Sequence, residues 1–137
     1  MYRMRLVFVG ELKARWAAEA CRHYQEGLSR YARCETGLVR DAPDARDVAA
    51  RLRKEEQGIL RLLGPRDRVV GLEVTGQAMS SEGLAGKLGQ WLDDPGRQPC
   101  FVVGGPYGFG AGARERFDHS LSLGLELSII SNIQISI

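Results

Sequence analysis

Histidine and cysteine are scarce in this chain of 137 residues, with two of the first and three of the second. Cys21, Cys34 and Cys100 are odd in number and far apart in sequence. That argues against a disulfide framework and against a zinc site. Each reads instead as a small hydrophobe in a reducing, cytoplasmic compartment. His23 and His119 stand alone, so no metal site is expected. No run of 18 apolar residues occurs, which leaves no membrane span and no membrane partner. The opening Met1-Tyr-Arg-Met-Arg-Leu-Val-Phe-Val-Gly10 is basic and then briefly apolar. It lacks a long apolar core and a small-residue cleavage site, so it reads as a first strand rather than a signal peptide. Internal repeats, low-complexity tracts and interdomain linkers are absent too. Residues 1–137 are therefore expected to form a single domain.

The apolar pattern alternates between two periods. Arg5–Val9 is a strand ended by Gly10, and residues 11–31 carry Leu12, Trp16, Ala20, Tyr24, Leu28 and Tyr31 at near-helical spacing. A weak strand is expected at 33–39. Asp44 is the expected N-cap of a helix running to about Leu63, with Val48, Leu52, Ile59 and Leu63 as its buried stripe and Gly64-Pro65 as its stop. A third strand covers Asp67–Val74. A glycine-containing helix runs from Ser80 or Ser81 to about Leu92, and Asp94-Pro-Gly96 is a turn. A strand over 100–103 and a short helix over 111–118 complete the pattern. Strands alternating with helices require crossover connections, so the fold class is α/β, with a mostly parallel sheet and helices on both faces.

The segment Cys100-Phe-Val-Val-Gly-Gly-Pro-Tyr-Gly108 carries the strongest functional signal. A buried, β-branched strand stops at two glycines and a proline. Ligands of open α/β sheets sit at such carboxyl ends, where glycine leaves the backbone amides bare. A plain exit from strand to turn fits the same residues.

Charge is unevenly spread. Residues 1–68 hold 15 Lys/Arg against 10 Asp/Glu, whereas residues 69–137 hold 4 against 7. Most of the cations are arginine, which forks well onto phosphate. An RNA partner fits a basic half beside a ligand-binding half, and so do solvated helix faces. Arg3, Arg5, Arg15 and Arg22 are the candidate phosphate contacts.

Four segments in order carry a family resemblance: Met4-Arg-Leu-Val-Phe-Val-Gly10, Leu72-Glu-Val-Thr-Gly76, Gly104-Gly-Pro-Tyr-Gly108 and Ser120-Leu-Ser-Leu123. Trp91, closing the helix before the fourth strand, suits the same pattern. Together they resemble the RlmH (YbeA-like) family, small SPOUT-class methyltransferases that modify N3 of a pseudouridine in 23S ribosomal RNA. The likeness covers about residues 3–124. It implies a SPOUT-type trefoil-knot α/β fold, S-adenosyl-L-methionine as methyl donor, the ribosome as partner, and a homodimer. It also implies a cofactor site at Leu72, Gly104 and the run Leu121, Ser122, Leu123, Gly124, Leu125 and Glu126. Gly105 would add close backbone approach, and Leu72, Leu121 and Leu123 apolar walls.

The tail departs from that family. Residues 125–137 have no proline, histidine, arginine or tyrosine, and Glu126 is their one charge. Ile129, Ile130, Ile133, Ile135 and Ile137 favour a strand, where the family threads a helix. A poor methyltransferase is the expectation from this tail. A cofactor-binding module without transfer, and a remnant that pairs with another chain, are the alternatives in other classes. Methyl transfer to a ring nitrogen mainly needs alignment and loss of the acceptor proton. No catalytic base is assigned. His119 is the one histidine near the cofactor run, and it reads as an exposed residue at a helix end.

Overall fold

A computed structural model of the chain describes residues 2–10, 32–78, 80–105 and 107–122. The helix expected over 11–31 and the strand expected in the tail lie outside these residues, as does any knot threaded by the tail. The described elements are strands β1 (Tyr2–Val9) and β2 (Ala32–Val39), helix α1 (Val48–Leu62), β3 (Asp67–Ala78), α2 (Ser81–Asp93), β4 (Gln98–Val103), α3 (Ala111–Arg116) and β5 (His119–Ser122). The five strands form one sheet in the order β2-β1-β4-β3-β5. Every pairing is parallel, as the alternation of strand and helix requires.

Side-chain alternation along the strands builds two cores. Val7 and Val9 of β1, Val69 of β3, and Cys100 and Val102 of β4 face Ile59 of α1 and Ala113 of α3. Val70, Phe101 and Leu121 face the other way, onto Trp91 of α2, with Met4, Leu6, Leu72, Leu84 and Leu88 around them. Near-continuous apolar runs in β1, β3 and β4 follow from burial on both faces. Gly71 sits in mid-strand because a Cβ there would strike the ring of Phe117. Burial pushes the Cys100 thiol up to about 12, and the nearby Asp67 charge adds to the effect. This cysteine is thus an inert hydrophobe, as its isolation in sequence suggested.

Helix α1 begins three residues later than the sequence predicts. Its N-cap is Asp47, whose carboxylate accepts from the Ala50 amide at 2.7 Å, and Asp44 lies outside it. Pro43-Asp44-Ala45 is occupied by a tight turn, with the Ala45 amide donating to the Ala42 carbonyl at 3.1 Å. The buried stripe shifts accordingly. Ile59 is buried, Leu62 and Leu63 pack partly, and Val48 is 45% exposed. The remaining buried position on this face is Glu55, at 3% exposure. Helix α2 starts at Ser81, one of the two starts expected, and Ser80 caps it, accepting from the Gly83 amide at 3.0 Å. Among the described residues no helix is long and apolar enough to cross a membrane.

Two features fix the sheet, one at each end. At its amino end, Asp67 is 1% exposed. It pairs with Arg5 and accepts from the Gly64 amide at 2.8 Å and Gln98 Nε2 at 2.9 Å. That carboxylate ties β1, β4 and the α1–β3 connection to β3. At the carboxyl end, β3 bulges. Leu72 and Gln77 both pair with Leu121, so residues 73–76 loop out and return to one partner. A Cβ on Gly76 would lie 2.6 Å from the Leu121 carbonyl carbon.

Asp67→Ala leaves the half-buried Arg5 without its counter-ion and the Gly64 amide and Gln98 without their acceptor, and should destabilise the protein by about 3 kcal/mol. Urea unfolding measures this, and the apolar pair Arg5→Met with Asp67→Leu should recover most of the loss. Gly76→Ala should cost roughly 1–3 kcal/mol through backbone crowding at Leu121. Gly86→Ala on the open side of α2, where a Cβ meets nothing within 4 Å, should be neutral or stabilising by up to about 1 kcal/mol.

Candidate active site

Parallel registry gathers the predicted residues. Leu72 pairs with Val103 on one side and with Leu121 on the other. Gly104 follows Val103 directly. Leu72, Val103 and Leu121 therefore stand level across three adjacent strands at the carboxyl edge of the sheet, and Gly104 lies one residue beyond that level. Ser122 continues β5 at that edge and pairs with Ala78. Leu123, Gly124, Leu125 and Glu126 lie outside the described residues.

The edge is a row of close backbone approaches. The loop after β4 turns tightly, with the Gly108 amide donating to the Gly105 carbonyl at 3.1 Å. Gly108 has φ +73°, in the left-handed region that favours glycine. The glycines also answer to packing within the chain. A Cβ on Gly104 would sit 3.0 Å from the Phe109 ring, and one on Gly105 would sit 3.3 Å from Glu55 Oε1. Leu72 and Leu121 point to the α2 face, and Leu121 is 2% exposed. Leu121 thus acts as core beneath the edge rather than as an open wall. A flat ligand with hydrogen-bonding edges fits such a site: backbone and glycine at the rim of three strands, over an apolar floor.

Sequence reasoning missed two acidic residues here. Glu73, directly after Leu72, has a side chain only 8% exposed. It accepts from Arg114 Nε at 2.8 Å and from Ser120 Oγ at 3.2 Å. Glu55 supports the glycine loop from below, accepting from Arg51 Nε at 3.1 Å and from the Ala42 amide at 3.4 Å. A signal for Glu55 was present. It stands four residues before Ile59 and four after Arg51, so a charged pair enters the apolar stripe of α1.

His119 is not at a helix end. It opens β5, half-buried, with its ring stacked on Trp91 at 5.0 Å between centroids. Burial, and then the Arg68 and Lys87 charges, hold its pKa below the ordinary value. Its Nε2 is buried without a hydrogen-bond partner. It pairs with Val70, two residues back from Leu121, so it packs inside the fold instead of facing the edge.

The arginines separate. Arg5 is committed to Asp67, which corrects its reading as a phosphate contact. Arg3 is exposed at the amino end of β1. It lines a cavity of about 420 Å³ with Tyr2, Arg66, Asp94 and Arg97. That cavity and the glycine loop are at opposite ends of the sheet, roughly 20 Å apart for strands of this length. Arg15 and Arg22 lie outside the described residues. Among the described residues no cluster of His, Cys, Asp and Glu is suited to a metal ion.

A family model described as a predicted SPOUT methyltransferase matches residues 2–127. The ribosomal RNA large subunit methyltransferase H of Solidesulfovibrio magneticus is 40% identical over 121 residues, covering 88% of this chain and 78% of that protein. The protein of that name from Maridesulfovibrio salexigens is 32% identical over 108 residues, with 79% and 69% covered. The one from Ureaplasma urealyticum is 30% identical over 125 residues, with 88% and 79% covered. The family match runs from the first residue of β1 past the last of β5, and so takes in the whole carboxyl edge. With that edge built as a rim of backbone and glycine, the chain belongs to the SPOUT methyltransferase family.

Proposed function

We propose that this methyltransferase takes its methyl group from S-adenosylmethionine and places it on N3 of a pseudouridine in large-subunit ribosomal RNA. In this reading it acts as a cytoplasmic homodimer. The observation that carries the cofactor assignment is the level alignment of Leu72, Val103 and Leu121 across β3, β4 and β5, which brings Gly104, the next residue, to the same edge. The RNA assignment rests on the likeness to relatives named for ribosomal RNA methylation.

The donor brings an activated methyl on a sulfonium, so transfer is an in-line displacement. The chain's part is alignment. Backbone groups beside Leu72, Gly104, Gly105, Leu121 and Ser122 would hold the donor, and the Leu121 floor would keep water from beneath it. Leu123, Gly124, Leu125 and Glu126 would extend the same contact. The acceptor N3–H must give up its proton, and no base is assigned to that step; the two acidic groups at this edge are each held by an arginine. Glu73 is ion-paired with Arg114, and Glu55 with Arg51. Arg3, with Arg15 and Arg22, would contact RNA phosphates away from the reacting atoms.

Calorimetry should detect S-adenosylmethionine and its demethylated product, and Gly104→Val should abolish both by crowding Phe109 and the loop. Unchanged melting of that variant separates lost binding from lost fold. A folded wild-type protein that binds neither compound would refute the cofactor assignment. Affinity for large ribosomal subunits should fall steeply with salt, because neutralising phosphates releases counterions. Arg3→Glu should weaken binding and reduce the slope of log K against log salt by about 1. An unchanged slope would leave Arg3 a solvated surface charge.

A further inference from the structure

Tyr107 is the most exposed large hydrophobic residue among those described, at 55%. It sits in the Gly105–Gly108 turn, next to the loop glycines of the candidate site. Exposed aromatics are commonly mobile, but this ring has a rigid backing. The Arg51 guanidinium carbon lies 5.2 Å from its centroid, a cation–π contact. Arg51 is itself only 14% exposed, fixed by Glu55 at 3.1 Å and Asp41 at 3.5 Å. Glu55 is buried against the Gly105 backbone, where a Cβ would stand 3.3 Å from its Oε1. A chain of contacts thus runs from the interior of α1 to the face of one surface ring.

We infer that Tyr107 is a stacking platform for an unpaired base of the RNA substrate, held in place by Arg51 and Glu55. This rests on the proposed RNA methyltransferase function. One face of the ring is covered by the guanidinium, so its exposure belongs to the remaining face and edge. N3 of a uracil-type ring lies on the edge that base pairing conceals, so the target must leave its stack before transfer. A fixed aromatic beside the donor site replaces part of the lost stacking, and does so without reading sequence. Arg51 serves as a positioning residue.

The test compares wild type, Tyr107→Ala, Tyr107→Phe and Arg51→Met by three measurements. The first is tritiated methyl incorporation into large subunits lacking the modification. Tyr107→Ala should raise KM for subunits about tenfold, Tyr107→Phe should restore it, and Arg51→Met should fall between. The second is calorimetry with S-adenosylhomocysteine, which should agree within twofold among wild type, Tyr107→Ala and Tyr107→Phe. The third is fluorescence anisotropy of a labelled single-stranded uridine octamer, whose affinity should fall about tenfold in Tyr107→Ala and recover in Tyr107→Phe. An unchanged subunit KM and octamer affinity in Tyr107→Ala would overturn the inference. So would a Phe variant as weak as Ala, which would assign the effect to the hydroxyl. Loss of S-adenosylhomocysteine binding in Tyr107→Ala would make the ring a support for the cofactor loop instead. A wild-type protein that binds S-adenosylhomocysteine but methylates no subunit would remove the proposed function, and the octamer measurement would still decide the role of the ring.

Discussion

Parallel pairing of β3 with both of its neighbours is the constraint on which the functional edge depends. Leu72 meets Val103 and Leu121 at one level, and the bulge folds Gly76 back onto Leu121. Three chain segments far apart in sequence then end side by side. In a parallel sheet each strand delivers its exit loop to the same edge, so ligand contacts assemble from loops and the strands set only their height. Slipping β5 by one residue would exchange Leu121 for a serine on the α2 face and open the apolar floor.

Buried charge is used differently at the two ends of the sheet. Asp67 at the amino end is surrounded by donors from β1, β4 and the connection before β3. It fixes strand positions. Glu55 at the carboxyl end gathers Arg51, the Ala42 amide and the Gly105 backbone. It fixes a loop. In both cases the carboxylate is desolvated and tolerated only because hydrogen bonds and a guanidinium surround it. The apolar core holds helices to sheet, and these two polar centres decide where the ends of the strands go.

Much of the fold was legible in the sequence. Strands β1 to β4, the start of α2 and the parallel sheet with helices on both faces follow from period and punctuation, whereas β5, four residues long, was not predicted as a strand. The start of α1 was misplaced because Asp44 and Asp47 are both good caps, and only the turn through Ala42–Ala45 selects the second. Glu55 was missed because hydropathy assigns charged residues to the surface, whereas α1 buries one to support the loop. His119 was misread for a similar reason. Its partner Trp91 lies on α2, and no local pattern reveals a stack between distant elements. The candidate site was legible as three separate motifs, but their common height comes from registry, which sequence does not carry.

The strand order has a consequence for how the chain acquires this shape. β1 is synthesised first yet lies inside the sheet, between β2 and β4, and Arg5 pairs with Cys100. During translation the first strand must wait for the fourth with one edge unpaired. At roughly 5–20 residues per second that interval is on the order of 5–20 s. Contacts so distant in sequence also slow refolding of the finished chain. The apolar Leu6-Val7-Phe8-Val9 edge is then open to other nascent chains, and the arginines at positions 3 and 5 flank it as gatekeepers.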